Sequence, residues 1–405
     1  MQQLKLILAI AIVTATGCGV QFSTRYDRIE ENRVRTLAFV YDNHGLAEGA
    51  PGDSVWCTAY FAGEPVTSID FSLTTSLIIN QFGRDTFADT VSLDRYMIPG
   101  TRREFFGGET DSIQFRFVVP ATIIRDGFAE DATIGSLLPP GIADTALPDA
   151  LREIKPSASI DMIEKLSTGG LSLDSLLKLP DTALGSMNFA SIVTYLPMLL
   201  QVFTVDMKIF ATINNHYRVE STFSVRYNSR LSASIPAIPV NHNPSIDWIR
   251  CCRIRGDNLI FDPVKDSGLI DTIYELYPGG DTIQVDVGYR YFLVADTVHA
   301  VLDSGFSLTD FTLERLPEVL SYEWFFENND TTPIMPLDSL ITLGNNFGGL
   351  SIELLPSVDT RLTRFNLWLV TSDAFLGEKL RPVGFEVKCV DGIFSYSDAY
   401  KKRYR

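Results

Sequence analysis

Apolar residues recur at every second position through most of this chain. Val55, Cys57 and Ala59 alternate with Trp56, Thr58 and Tyr60, and Ile113, Phe115 and Phe117 alternate with Gln114 and Arg116. A period of two places alternate side chains on opposite faces of a strand. Val205, Met207, Ile209, Ala211 and Ile213 make one face of a long strand, and Val219, Phe223 and Val225 one face of its partner. Asn214-Asn215 between them suits a tight hairpin turn, because asparagine tolerates positive φ. Beyond Asn241 to Pro244, read as a linker, the rule returns. Ile283, Val285, Val287, Tyr289, Tyr291 and Leu293 point one way, with Gln284, Asp286 and Arg290 opposite, and Phe365, Leu367 and Leu369 repeat the pattern near the end. The expectation is a mainly β chain of two β-sandwich domains, over 36–240 and 245–398.

The stretch from about 126 to 203 breaks the rule. It holds Leu-rich pieces punctuated by proline: Pro148 to Ile154, Ser159 to Leu166, Leu173 to Leu179 and Phe189 to Phe203. Ile160, Ile163 and Leu166 lie at helical spacing, and Pro148 suits a first helical turn. This predicts a helical insertion between two strands of the first sandwich. Phe189 to Phe203, with Pro197 inside it, is too short and too broken to span a bilayer, which needs about 20 apolar residues. Its leucines either cap the sandwich or face a partner or a membrane.

The first residues carry an address. Lys5 precedes an apolar run from Leu6 to Val13, and Thr14-Ala15-Thr16-Gly17 form a small-residue exit ahead of Cys18. That is the layout of a secretory signal peptide over 1–17. Ala15-Thr16-Gly17-Cys18 resembles the lipobox of bacterial lipoproteins, in which the cysteine is acylated and becomes the new N-terminus. The resemblance implies lipid on Cys18, and two or three acyl chains anchor stably. It implies a cell-envelope location. With Gly19 rather than Asp after the cysteine, it implies outer-membrane sorting. Within the lipidated tether expected over 18–35, Gly19 to Arg35 then read as a polar stretch of roughly 17 residues, about 55 Å long if fully extended at about 3.3 Å per residue.

The two halves echo each other. Gly52-Asp53-Ser54-Val55 and Gly280-Asp281-Thr282-Ile283 each open a long strand. Ser68-Ile69-Asp70-Phe71-Ser72-Leu73 follows the first as Tyr322-Glu323-Trp324-Phe325 follows the second. The pair resembles bacterial immunoglobulin-like or PKD-like repeats, with Tyr-x-Trp-Phe as the most telling piece. The resemblance implies immunoglobulin-like sandwiches, Trp324 as a core plug, and a binding or scaffolding role.

Charge and chemistry narrow the picture further. A net charge of −16 repels phosphate backbones and argues against nucleic acid as a partner. The basic tail at 399–405, Lys401-Lys402-Arg403 with Arg405, reads as solvated. Apart from Cys18, four cysteines remain in an oxidising compartment. Cys389 shares a strand face with Phe385 and Val387, and Cys252 is in phase with Trp248 and Ile254. A Cys252–Cys389 bridge is the favoured pairing, with four buried thiols as the alternative. No metal-ligand or cofactor spacing occurs, and no nucleophile elbow, metalloprotease helix or phosphate loop. His44, His216, His242 and His299 stand singly, and His242 in the linker is the least improbable catalytic histidine. Glu109 with Asp111, and Glu327 with Asp330, read as turn acidity, and Arg255-Gly256-Asp257 as a chance tripeptide.

The expectation is therefore a non-enzymatic, lipid-anchored envelope protein that binds or scaffolds an envelope or surface component. A second expectation is a surface lipoprotein that binds carbohydrate in polysaccharide use. Trp56, which shares a face with Tyr60, and Trp368, opposite Leu367 and Leu369, would be its sugar-stacking aromatics. A third is an envelope hydrolase with its site beside the insertion.

Overall fold

The computed structural model describes residues 26–28, 33–79, 83–86, 89–107, 110–137 and 149–170, most of 196–254, and chiefly strands between 267 and 390. The signal segment with Cys18, the Arg255-Gly256-Asp257 tripeptide and the basic tail lie outside the described residues.

After β1 (Tyr26–Arg28) come β2 (Val34–Asp42), β3 (Glu48–Gly49), β4 (Ser54–Gly63), β5 (Ile69–Ile79), β6 (Gly83–Thr86), β7 (Val91–Ser92), β8 (Arg103–Phe105) and β9 (Asp111–Val118). Beyond the helical stretch lie β10 (Val205–Ile213) and β11 (Tyr217–Val225). One sheet runs β2-β4-β9-β8 and the other β3-β11-β10-β5-β6, with β7 also on β5. Their inner faces form one core. Val55, Cys57, Ala59 and Phe61 of β4 and Ile113, Phe115 and Phe117 of β9 meet Phe71 and Leu73 of β5 and Val205, Met207 and Ile209 of β10. Phe71 packs on Phe115 at 4.6 Å between centroids, and Phe223 meets Phe117 edge-on at 5.8 Å. The β10–β11 hairpin turns through Asn214 and Asn215 at φ 49° and 62°, closed by the His216 amide donating to the Ile213 carbonyl. Positive φ at both central positions marks the mirror-image turn that matches strand twist. The Asn214 side chain then ties down the loop before β5. Its Oδ1 accepts from the Thr67 amide at 2.8 Å, and its Nδ2 donates to the Pro65 carbonyl at 3.0 Å.

The described part of the insertion carries the helices Asp149–Arg152 and Pro156–Ser167 and two short 3-10 turns. The helix Pro156–Ser167 starts on proline, whose missing N–H costs nothing in a first turn, and buries Ile160, Ile163 and Leu166. Leu196, Leu199, Leu200, Val202 and Phe203 join the same core. The apolar side chains described here are thus covered, and they cap the sandwich rather than form an open ridge. Polar clips hold the cap in place. The Arg125 guanidinium reaches Glu164 at 2.7 Å and also pairs with Asp161, while the Tyr227 hydroxyl donates to Glu164 at 2.9 Å.

The second sandwich comprises β12 (Ser245–Ile246), β13 (Ile249–Ile254), β14 (Ile270–Leu276), β15 (Thr282–Asp286), β16 (Arg290–Val294), β17 (Val298–His299), β18 (Ser304–Phe306), β19 (Leu313–Arg315), β20 (Leu320–Asn328), β21 (Ile341–Thr342), β22 (Ser351–Leu354), β23 (Arg364–Asp373) and β24 (Val383–Val390). Its main sheets run β14-β13-β16-β22-β21 and β1-β20-β23-β24-β15. Trp324 and Phe326 of β20, with Phe365, Leu367 and Leu369 of β23, pack against Ile249, Cys251, Tyr291, Leu293 and Leu354 of the facing sheet.

The tether differs from the expectation. Tyr26, Asp27 and Arg28 pair in parallel with Trp324, Phe325 and Phe326, and Val34 already belongs to β2. The segment therefore enters the second sandwich before it starts the first.

Where the chain leaves the first sandwich, a buried polar junction closes it. Glu48 is fully buried and pairs through one carboxylate oxygen with the Arg226 guanidinium. The same oxygen accepts the Asn241 amide at 3.1 Å. Asp53, two residues into the Gly52-Asp53-Ser54-Val55 motif, accepts the Ala50 amide at 2.8 Å and pairs with Arg230 at 2.7 Å. Gly52 supplies the φ of +82° that the turn requires. The linker is thus bound to the first sandwich, with Asn243 donating to the Tyr41 carbonyl at 2.8 Å. Arg226→Met leaves a buried carboxylate without its cation and is expected to cost about 3–5 kcal/mol in urea unfolding. Glu48→Leu combined with Arg226→Met should recover most of that loss. A single-variant change within about 0.5 kcal/mol would place the pair at the solvated surface instead.

Candidate functional site

The outer face of the β2-β4-β9-β8 sheet has two ends with opposite character. At one end Leu37, Ala38 and Ala62 are buried against Phe325, Trp368 and Val370 of the second sandwich. A β-bulge makes this contact. Register shifts between Thr36 and Ala38, so the extra residue Leu37 joins Ala38 on the outer side. The Arg35 guanidinium covers the Phe325 ring at 5.3 Å, and the Trp368 indole N–H donates to the Thr110 hydroxyl at 2.8 Å. An apolar seam, in which the Trp368 indole donor is satisfied, joins the two sandwiches face to face.

The other end is open. From that end toward the seam, cross-strand register sets Asp42, Trp56 and Arg116 in one row, then Val40, Thr58, Gln114 and Arg103, and then, at the seam itself, Ala38, Tyr60, Ser112 and Phe105, with Val40 and Tyr60 packed against the contact. Trp56, Thr58, Gln114 and Arg116 are half-buried, whereas Phe105 is 54 % exposed. The Arg116 guanidinium lies 5.7 Å from the centre of the Trp56 ring. Its Nε is shielded from solvent and meets no acceptor.

These positions separate the two aromatics expected to stack sugars. Trp368 is 1 % exposed and is structural: a second layer, the first sandwich's own sheet, covers it. Trp56 lies on the open end of that same sheet. The acid expected in a turn, Asp111, instead opens β9. It is buried and accepts the Val66 amide at 3.0 Å and the Gly107 amide at 2.9 Å. His242 is fixed by a backbone bridge to Leu46, and the His216 ring sits 3.9 Å from that of Tyr217.

The neighbouring cysteines of β13 divide between faces. Cys251 enters the inter-sheet core, and Cys252 joins Ile254, Phe292 and Val294 on the far side. The side chain of Cys389 lies outside the described residues. Burial raises the thiols of Cys57 and Cys251 well above their ordinary range. Below the seam sheet's partner, Arg253 pairs with Asp271 and reaches Asp286 at 3.4 Å, while the Tyr291 hydroxyl accepts the Asp286 amide at 2.9 Å. Desolvation raises the Asp286 carboxyl despite Arg253 beside it. This cluster ties β13, β14, β15 and β16 together. Among the described residues no three metal-ligating side chains converge, and no helix is long and apolar enough to cross a membrane.

Sequence periodicity finds the core face of each strand and passes over the seam. A signal was present: Leu37-Ala38-Phe39-Val40, Trp324-Phe325-Phe326 and Leu367-Trp368-Leu369-Val370 are apolar on both faces, as strands covered on both sides must be. The open end has no such signature, because Thr58, Gln114 and Arg116 read as ordinary solvated positions.

The chain matches no protein-family model, and no curated protein matches it at a significant level. Trp368→Ala is expected to cost about 3–5 kcal/mol in denaturant unfolding and to speed cleavage at residues 241–244 by a limiting protease. A surface tryptophan would change stability by no more than about 0.5 kcal/mol. Cys57 and Cys251 should stay unmodified by a thiol reagent at neutral pH until urea unfolds the protein, and rapid labelling of the native chain at either position would contradict their burial.

Proposed function

We propose that this chain is a lipid-anchored envelope protein with a non-enzymatic binding or scaffolding role, held in the outer membrane by acyl chains on Cys18. The observation that carries the reading is the seam. Two sandwiches locked face to face by Trp368, Phe325, Leu37, Ala38 and Ala62 make a stiff body, and they leave half of one sheet turned outward beside the contact. A stiff body on a short tether positions a surface at a set distance from a bilayer, which is what a scaffold needs. The lipobox-like Ala15-Thr16-Gly17-Cys18 and the acidic charge of −16 support the same role. We read both sandwiches as immunoglobulin-like or PKD-like, and the complete burial of Trp324 supports that kinship.

Growth with an alkyne fatty acid should label the wild-type protein and leave Cys18→Ala unlabelled and released from membranes. Cross-linking in intact cells, followed by membrane pull-down, should recover an envelope component in fixed ratio with the wild type. An unlabelled wild-type chain would end the anchored reading, and recovery of the protein alone as a monomer would end the scaffolding one.

A further inference from the structure

We infer that the free edge of β8 is a self-association surface, at which two copies of this chain pair β8 against β8, antiparallel, about a twofold axis at Glu104. The inference goes beyond the binding or scaffolding role proposed above and does not depend on lipid on Cys18.

The strand β8 ends the β2-β4-β9-β8 sheet, and among the described residues no strand pairs with its far side. The run from Arg102 to Gly107 is exposed throughout. Among the described residues four large apolar side chains are exposed, and two of them, Phe105 at 54 % and Phe106 at 40 %, are consecutive here. An edge strand that holds aromatics in water is a template for another strand. Arg103 lies on the outer face with Phe105, and neither side chain makes a hydrogen bond, ion pair or ring contact within the chain. Elsewhere this protein lays guanidinium groups on rings, as Arg35 does on Phe325 at 5.3 Å, Arg95 on Tyr96 at 5.1 Å and Arg218 on Phe210 at 4.4 Å.

A second copy supplies what Arg103 and Phe105 lack. Directly opposed residues of an antiparallel pair point to the same face. An axis through Glu104, perpendicular to the sheet, therefore sets Arg103 of each copy opposite Phe105 of the other, and Arg102 opposite Phe106. Each copy gives a cation to a ring and a ring to a cation. Glu104 then faces its own mate, but each carboxylate is already held by Arg102 at 2.8 Å. Arg102 also donates to the Ile69 carbonyl of the facing sheet at 3.2 Å, which fixes the inner side of this edge. A charge on an edge strand keeps away strands that cannot match it. The strand that matches this order of arginine, acid and ring is β8 itself, and that is why the occupant is a second copy. The seam lies toward the Phe105 end of the sheet, so in an antiparallel pair the two seams fall toward opposite ends and the second sandwiches do not meet head-on. A contact built on a three-residue strand falls short of the roughly 1,000 Å² of a durable interface, so the pair is transient in dilute solution and favoured where chains are crowded.

The test is oxidative cross-linking of the purified full-length chain carrying Cys18→Ala and one added cysteine, with copper phenanthroline and oxygen as oxidant. Opposed residues of an antiparallel pair stand about 4.5–5.5 Å apart at Cα, which suits a disulfide. Glu104→Cys should link into a covalent dimer about tenfold faster than Arg102→Cys or Phe106→Cys alone, whose own mates would stand about 14 Å away in this register. Arg102→Cys and Phe106→Cys mixed in equal amounts should link to each other, and the chain without an added cysteine should form no dimer. In the Glu104→Cys background, Arg103→Glu should slow linking about tenfold because a carboxylate then faces a ring, whereas Phe105→Glu should preserve it because that carboxylate faces Arg103 of the mate. Unfolding midpoints equal to the parent's establish that each variant is folded. Equal rates at 102, 104 and 106 would reduce the contact to random collision and overturn the inference. Linking that survives Arg103→Glu, or is lost in Phe105→Glu, would overturn the matched pairing, and so would the absence of any Glu104→Cys dimer at about 1 mM protein. Every variant lacks Cys18, so a failure of lipid anchoring and a failure of self-pairing are read separately.

Discussion

The arrangement of the whole molecule rests on one apolar contact between sheet faces that would otherwise both meet water. A sandwich needs only its inner faces covered. Here β2, β20 and β23 are apolar on both faces, so each sandwich alone would leave a second apolar surface exposed. Phe325, Trp368 and Val370 from one side and Leu37, Ala38 and Ala62 from the other remove that surface together. The bulge at Leu37 shows how closely the backbone is fitted to the contact, since without it Leu37 would point into the core already filled by Phe39 and Phe61. Trp368 can be buried there because Thr110 receives its indole hydrogen.

Polar contacts then fix what the apolar contact brings together. The Glu48–Arg226 pair and the Asp53–Arg230 pair close the base of the first sandwich around the Asn241–Asn243 exit. Arg125 and Tyr227, converging on Glu164, hold the helical cap over the same core. In the second sandwich Arg253 with Asp271 and Asp286 ties neighbouring strands. A buried charge pair adds little net stability and penalises wrong pairings heavily. These contacts therefore define registers and exits more than they strengthen the fold. The parallel pairing of Tyr26–Arg28 with β20 adds a third link between the sandwiches, beside the seam and the linker.

The consequence for function is an asymmetric face. One sheet of the first sandwich is closed to water by the second sandwich at one end and open at the other. At the open end the Arg116 guanidinium stands over the Trp56 ring and Asp42 accepts the Gly45 amide.

Much of this was determined by the sequence alone. Alternation located the strands from Val55 to Ala59, Ile113 to Phe117 and Val205 to Ile213, because a half-buried strand must alternate. The same alternation predicted a mainly β chain, and the broken pattern at 126–203 marked the helical cap. Ile160, Ile163 and Leu166 were placed on its buried side by spacing alone. Periodicity reports only that a face is covered, and is silent on what covers it. Trp56 and Trp368 looked alike as aromatics opposite a core face. Only the tertiary structure separated them, by stacking one sandwich on the end of the sheet that carries Leu37 and Ala38 and leaving the Trp56 end clear. The tether was misread for the same reason: three polar-looking residues become a strand when an edge such as β20, nearly 300 residues away, offers its backbone. Backbone pairing between distant segments leaves little trace in either one, because its donors and acceptors are the same for every residue.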